Sequence, residues 1–215
     1  MLIGRPTPNG TGIEIFGDYW DLDSLYNTLH AITTEGTASN DVLLGFAYDV
    51  RKANANLRET DATEFTEELI IYRGFKYFWF DFFVTVQFMR KCANAFPSVS
   101  SIQADTYRLE SILESSLKAF DPILGSEIFE WLSLNLIPEN EYIGLFIRDL
   151  TYRALTAIDG PERFKQIREE VETLSIRNPI YKAFKKDMEA QAKLNNCEPG
   201  QLDIDYDFEG TGFQW

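Results

Sequence analysis

The sequence predicts an α+β fold, in which a small, mainly antiparallel sheet packs on helices and is followed by a helical C-terminal half. Apolar residues alternate at 13–16 and again through 69–80, with the period of two that is typical of strands. After Pro97 they recur every three or four positions, as on the buried face of a helix. We therefore expect the sheet in the first half of the chain.

Length and composition fit a single domain. The 215 residues are 45% apolar and 14% aromatic, which is enough to build one large core without any ligand. We expect one α+β domain over residues 1–196, with a sheet-containing half at 1–97 and a helical half at 98–196. Residues 197–215 form a tail in which acidic and apolar residues alternate.

The N-terminal segment is predicted to be a β-hairpin followed by a helix. The Asn9-Gly10 pair is a turn signal between the apolar residues 2–3 and the alternating residues 12–16. From Asp21 a helix is indicated by an apolar stripe that consists of Leu22, Leu25, Tyr26 and Leu29.

Residues 42–53 are predicted to form a second helix, which Ser39, Asn40 or Asp41 could cap. A strand over 42–50 also fits this apolar run. Polar residues at 54–68 separate it from the next segment.

Residues 69–96 are the densest block of aromatic and branched side chains. Apolar residues on both faces of 69–80 predict a central strand, either as one long kinked strand or as a hairpin of two short ones. Gly74 would suit a bulge or a tight turn, because glycine reaches positive φ without a clash. At Asp81 the period becomes helical, and Asp81 is expected to cap a buried helix that Pro97 ends.

Beyond Pro97 the pattern predicts successive helices whose apolar stripes start at Leu109, Ile128, Ile143, Phe164 and Ile180. Ser126 and Asn140 are the expected caps of the second and third of these helices. The Asp-Gly-Pro run at 159–161 and Asn178-Pro179 mark the last two breaks.

The tail has two structural alternatives. Its alternation has the period of an added edge strand, so it either folds back on the protein's own sheet or docks on a partner as an acidic-aromatic peptide. The residues that we predict to contact a partner are Asp203, Asp205, Tyr206, Asp207, Phe208, Phe213 and Trp215.

Charge limits the classes of partner. The formal net charge of −14 disfavours contact with a phosphate backbone and favours a basic protein, although it also promotes solubility. We expect no nucleic acid, no membrane and no cofactor. The N-terminus lacks an apolar leader, and Cys92 and Cys197 form no CxxC pair, so a cytoplasmic location is expected, with one disulfide as the alternative.

Recognisable catalytic motifs are missing from the sequence. It contains no P-loop, no nucleophile elbow and no dinucleotide-binding fingerprint, and His30 is its one histidine. His30 borders the apolar stripe of the first helix, where we expect a partly buried structural residue. An enzyme is therefore the less favoured class.

Carboxylates are the remaining candidates for chemistry. Asp18, Asp21 and Asp23 cluster where the hairpin meets the first helix, and such a cluster could bind Mg²⁺ or Ca²⁺. Acidic residues at this position also cap a helix and complement its dipole. Asp81, between the aromatic strand and the buried helix, is either a cap or a carboxyl whose pKa is raised by burial.

Two segments, NGTGIEIFGDYWDL at 9–22 and FWFDFFVTV at 78–86, resemble a small group of uncharacterised bacterial proteins that share a domain of unknown function. The resemblance implies a bacterial, cytoplasmic protein and brings no known catalytic residue. It leaves the tail at 197–215 as an extension.

Two functional hypotheses follow. The first is a non-catalytic acidic protein–protein interaction module, such as an immunity (toxin-neutralising) or regulatory protein with a basic partner. The second is a carboxylate- or metal-dependent small-molecule enzyme with a site near Asp18, Asp21 and Asp81.

Overall fold

The computed structural model describes residues 1–34, 40–65, 68–156, 160–202, 204 and 206–215. Within them lie four strands and eight α-helices in the order ββααββαααααα. The predicted α+β fold, with a small antiparallel sheet and a helical second half, is confirmed.

The sheet is antiparallel and has the strand order β1-β2-β4-β3. Its strands are β1 (Ile3–Pro6), β2 (Gly12–Gly17), β3 (Glu59–Phe65) and β4 (Glu68–Phe78). The predicted N-terminal hairpin is confirmed: β1 pairs with β2, and Gly10 takes a φ of 68° in the turn. As expected for a central strand, β4 has neighbours on both sides.

Of the two alternatives for the aromatic block, one long strand is correct, since β4 runs through 11 residues. Gly74 lies in neither a bulge nor a turn. It pairs with Phe16 of β2 and Glu59 of β3, and a Cβ added to it would lie 2.4 Å from the carbonyl oxygen of Ile15. A close backbone approach therefore requires glycine here, not an unusual φ.

The polar segment at 54–68 was expected to be a separator, but it contains strand β3. An edge strand pairs through its backbone on one side only and need not be buried on both faces. The apolar period that marks a buried strand is consequently absent.

The helices are α1 (Tyr19–Thr34), α2 (Asn40–Asn54), α3 (Trp79–Ala95), α4 (Ser100–Phe120), α5 (Pro122–Leu134), α6 (Ile143–Thr156), α7 (Pro161–Val171) and α8 (Pro179–Asn195). The helical alternative for residues 42–53 is thus confirmed. Asn178 caps α8 by accepting a 2.8 Å hydrogen bond from the backbone N–H of Ile180, at the break that the sequence indicated.

Two predicted caps are wrong. The residue before α3 is Phe78, whose side chain accepts no capping hydrogen bond, and Asp81 lies inside the first turn. Helix α5 begins at Pro122, and Asp121 caps it by accepting 2.9 Å hydrogen bonds from two backbone N–H groups. Ser126 is within α5. Asp121 was not predicted because the apolar stripe starts at Ile128, six residues after the helix begins at Pro122.

One main core joins both halves of the chain. On the sheet side, the ring of Phe46 from α2 packs edge-on against Phe75 and Tyr77 of β4. On the helical side, Trp79 at the start of α3 contacts Phe164 of α7. Among the described residues, no helix has both the length and the hydropathy needed to cross a bilayer.

Candidate functional site

The acidic cluster at the start of α1 forms a reciprocal helix cap. Asp18 Oδ1 accepts a 2.9 Å hydrogen bond from the backbone N–H of Asp21, and Asp21 Oδ2 accepts one of 3.3 Å from the backbone N–H of Asp18. Asp23 is separate and accepts a hydrogen bond from Asn27. Within the described part of the chain, no group of three or more His, Cys, Asp or Glu residues is arranged to hold a metal ion.

The acidic cluster and Asp81 are also far apart. Gly17, next to Asp18, pairs with Arg73, whereas Gly12, at the other end of β2, pairs with Phe78. Asp18 and Asp81 therefore lie at opposite ends of the β2–β4 pair. A single site built from Asp18, Asp21 and Asp81 does not form.

The other titratable candidates lie on helices. His30 is exposed on α1, with its ring centroid 6.0 Å from that of Tyr26, so the expectation of partial burial is wrong. Cys92 is a buried free thiol in α3, as expected for a small apolar residue, and burial raises its pKa. Cys197 is also a free thiol, so the disulfide alternative is not adopted.

The described part of the tail folds back on the protein, but not as a strand. Phe78, the last residue of β4, is stacked against Trp215 at a centroid distance of 4.6 Å and also contacts Phe208 and Phe213. The Tyr206 hydroxyl donates a 3.2 Å hydrogen bond to Asp149 of α6. Asp203 and Asp205, two of the predicted partner contacts, lie outside the described residues.

The remaining predicted partner contacts are thus mostly engaged within the protein. Tyr206, Phe208, Phe213 and Trp215 are half-buried, whereas Asp207 is exposed and accepts a hydrogen bond from the backbone N–H of Gly210. The tail crosses the end of β4 instead of lying along an edge of the sheet. Among residues 197–202, 204 and 206–215, the period of two is consequently not accompanied by a ladder of backbone hydrogen bonds.

A pocket of about 280 Å³, which we call the α2–α6 pocket, lies beside the β4–α3 junction. Its apolar walls come from α2, α6 and the tail: Val42, Leu145, Ile147 and Leu202. Its polar lining comes from Asp41, Tyr77, Asp81, Glu141 and Arg148, and two glycines, Gly45 and Gly144, complete it. Apolar walls with a few convergent polar groups are typical of a small-molecule site.

Two of the residues that line this pocket are glycines, Gly45, which is exposed, and Gly144, which is half-buried. A Cβ added at Gly45 in α2, or at Gly144 in the first turn of α6, would meet no described atom within 4 Å. Glycine inside a helix costs about 1 kcal/mol relative to alanine. The packing of the described residues therefore does not explain why these positions lack a side chain.

Asp81 is half-buried and is the least exposed of the three carboxyl groups of the pocket. Desolvation raises its pKa to about 6, against the opposing effects of its own backbone N–H, of the Thr151 hydroxyl 3.5 Å away and of the Arg148 charge. Of the two alternatives from the sequence, the partial burial of Asp81 favours the raised pKa. Asp81 therefore changes charge close to neutral pH.

Tyr77 lies next to Asp81 and stays protonated. Burial is the main cause that raises the pKa of its hydroxyl well above the usual value, and the charge of Asp81 raises it further. The pocket can thus offer a carboxylate, a phenol and a guanidinium to a ligand.

A second exposed feature, which we call the aliphatic patch, consists of Leu134, Leu136 and Ile176. These side chains are 76%, 78% and 49% exposed and line one shallow cleft of about 140 Å³. A 3.3 Å hydrogen bond from the backbone N–H of Ile176 to the carbonyl of Leu136 holds their segments together.

The sequence analysis did not identify Gly45, Gly144, Arg148 or the pocket role of Tyr77. An isolated glycine within a helical pattern, as at Gly45, is the one signal that could have pointed there. The convergence of α2, α6 and the tail depends on tertiary packing, which a local pattern does not encode.

A protein-family model matches the chain from residue 2 to residue 215. No curated protein and no solved structure matches it. The match includes the tail, so the expectation that the tail is an extension outside the family is wrong. The chain belongs to the family described as "Domain of unknown function (DUF6904)".

Proposed function

We propose that the protein binds a small molecule in the α2–α6 pocket. The main observation in support is the pair of glycines, Gly45 and Gly144. A Cβ added at either position would meet no described atom within 4 Å, and yet neither position has a side chain. Asp81 and Tyr77 supply polar groups in the same pocket, and the volume of about 280 Å³ suits a small metabolite.

The proposal is tested by filling the pocket. A metabolite library is screened by thermal shift against the unmodified protein and against the double variant Gly45→Leu/Gly144→Leu. We expect compounds that raise the Tm of the unmodified protein and not that of the variant, because a ligand that binds only the folded state stabilises it.

A Gly125→Ala variant has the opposite steric situation, since its Cβ would lie 2.4 Å from the backbone of Leu117. Gly125→Ala therefore serves as a control for steric strain and should have a lowered Tm. The double variant Gly45→Leu/Gly144→Leu should keep the Tm of the unmodified protein. Compounds that stabilise the pocket-filled variant as much as the unmodified protein would contradict the proposal, and so would a screen without any hit.

The second candidate function is the protein–protein interaction module, and the aliphatic patch favours it. Three large aliphatic side chains exposed around one cleft are unusual on a free surface, and the net charge of −14 complements a basic partner. We propose that such a partner, an immunity target or a regulated protein, would bind at Leu134, Leu136 and Ile176.

This second candidate is tested with a matched leucine control. The tagged protein, the double variant Leu134→Ser/Leu136→Ser and the single variant Leu194→Ser are purified from the native cell. Leu194 is 86% exposed on α8. A stoichiometric basic protein that is lost only with the double variant supports the patch. The same partner bound to all three variants, or to none, counts against it.

A protein partner could instead bind through the tail at 197–215. Because Phe208, Phe213 and Trp215 contact Phe78, a partner would have to replace these intramolecular contacts. A variant that ends at Asn196 tests this directly, since it should lose a tail-bound partner and keep one bound to the aliphatic patch.

A further inference from the structure

We infer that the ligand of the α2–α6 pocket is a small organic cation, whose ammonium group binds Asp81 beside the ring of Tyr77. This inference rests on the proposed function and adds the chemical class of the ligand. It depends on the charges, the aromatic surface and the apolar walls that meet in the pocket.

The charges that line the pocket favour a cationic ligand. The lining contains three carboxyl groups, from Asp41, Asp81 and Glu141, and one guanidinium, from Arg148. A phosphate or a carboxylate ligand would meet net repulsion, whereas an ammonium group would be attracted. Asp81, in the first turn of α3, is half-buried, so one of these charges is partly withdrawn from bulk water.

The second step is the presence of an aromatic surface beside that carboxyl. Tyr77 lines the pocket, and its ring packs against that of Phe46 at a centroid distance of 5.1 Å. A carboxylate combined with an aromatic face is a recurrent way to bind ammonium groups, because the ring carries partial negative charge on its face.

The third step concerns the rest of the ligand. Val42, Leu145, Ile147 and Leu202 offer apolar contacts to it, and Gly45 and Gly144 leave the space that it would fill. The ligand is therefore an amine with a short apolar body, not an inorganic cation. A bare metal ion would leave the apolar walls unused.

The test compares three compounds that differ only in their polar end: n-hexylamine, 1-hexanol and heptanoate. Calorimetric titration of the full-length protein at pH 7.5 should show binding of the amine, roughly tenfold or greater weakening for the alcohol, and no binding of heptanoate. The Asp81→Asn variant should lose the preference for the amine, while Asp187→Asn, at an exposed position on α8, should retain it.

The unmodified protein gives an independent readout through pH. An ammonium group binds the ionised carboxylate, so amine affinity should be roughly tenfold weaker at pH 5 than at pH 7.5, because most Asp81 is protonated at the lower pH. The groups that face Asp81 or share its pocket are Asp41, Asp49, Tyr77, Glu141 and Arg148. The Asp81→Asn variant should bind the amine equally well at both pH values if Asp81 causes the pH dependence.

The outcomes separate this inference from the proposed function. If 1-hexanol or heptanoate binds as tightly as the amine, or if Asp81→Asn leaves the preference intact, the cation inference is wrong. If library compounds of other classes bind the unmodified protein and not Gly45→Leu/Gly144→Leu, the pocket is a ligand site, but the ligand class is not the one inferred.

Discussion

Asp81 gives the protein a pH-dependent stability that a single substitution should remove. Its pKa is about 6 in the folded state and near the ordinary 3.8 when the chain unfolds, so the folded state holds the proton more tightly. Folding stability therefore falls as pH rises from about 4 through 6. Asn at this position carries no proton, so its advantage over Asp should grow by about 1 kcal/mol between pH 5 and pH 8.

Urea unfolding at the two pH values measures this difference, with Asp187→Asn as the control for an exposed carboxylate. An advantage of Asp81→Asn that stays constant, or shrinks, as pH rises would show that Asp81 does not carry a raised pKa.

The glycines of the fold divide into two classes that substitution by alanine should separate. At Gly74 the new Cβ would lie 2.4 Å from the Ile15 carbonyl and 2.4 Å from the Phe16 ring, so Gly74→Ala should cost about 1–3 kcal/mol. At Gly45 the Cβ meets open space, so Gly45→Ala should stabilise the protein by about 0.5–1 kcal/mol. Denaturant midpoints of the two variants provide the comparison, and equal destabilisation would contradict the open pocket.

For single residues, the sequence indicates which side chains could titrate or need a special backbone geometry, but not which atoms surround them in the fold. The two alternatives for Asp81 were visible from its place between strand and helix, and the structure decides between them. The sequence indicated that Gly74 was special but not why, because the Ile15 carbonyl approaches it from another strand. An isolated glycine within a helical pattern marks Gly45 as unusual, but the local sequence does not show that this exposed position lines a pocket.

Among the elements, helix α1 depends on its cap. Because Asp18 and Asp21 bond reciprocally to each other's backbone N–H groups, Asp18→Ala should cost about 1 kcal/mol, whereas Asp18→Asn, which can accept the same hydrogen bond, should cost little. Thermal unfolding with and without millimolar Mg²⁺ or Ca²⁺ tests the alternative. A cation-dependent rise in Tm that Asp18→Asn abolishes would favour a metal site over a cap.

The tail is an element whose packing a double-mutant cycle can measure. Phe78 and Trp215 are stacked with an interplanar angle of 22°, so Phe78→Ala and Trp215→Ala should be coupled by about 0.5–1.5 kcal/mol. Trp20→Ala, at a position that is 76% exposed, is the control and should have little effect. Additive effects of the two substitutions would mean that the tail does not dock on β4.

Elements with a buried apolar face were predictable, and elements without one were not. The hairpin β1–β2, strand β4 and the helical half follow from period and turn signals. Strand β3 was not predicted because an edge strand needs no apolar period. The described part of the tail has the period of a strand but packs across the end of β4, and not along the edge strands β1 or β3. The cap of α5 was missed because helix starts are set by capping hydrogen bonds and not by the apolar stripe.

On the scale of the whole molecule, the main core explains most of the aromatic residues. Phe46, Phe75, Trp79 and Phe164 pack against one another or against their neighbours and need no ligand. The α2–α6 pocket is one of several places where the described residues leave room unfilled, and four parts of the chain that are distant in sequence meet there: α2, the β4–α3 junction, the start of α6 and the tail. Its existence could not be inferred from any one of them.

Amide chemical-shift mapping by NMR shows whether a small molecule occupies the α2–α6 pocket. We predict that titration with n-hexylamine, or with the best compound of the metabolite screen, shifts the amides of Gly45, Gly144 and Leu202. The amides of the Asp18–Asp21 cap and of Leu136 and Ile176 in the aliphatic patch should be unchanged. Shifts confined to the patch or to the cap, or no saturable shift at the pocket residues, would contradict the account.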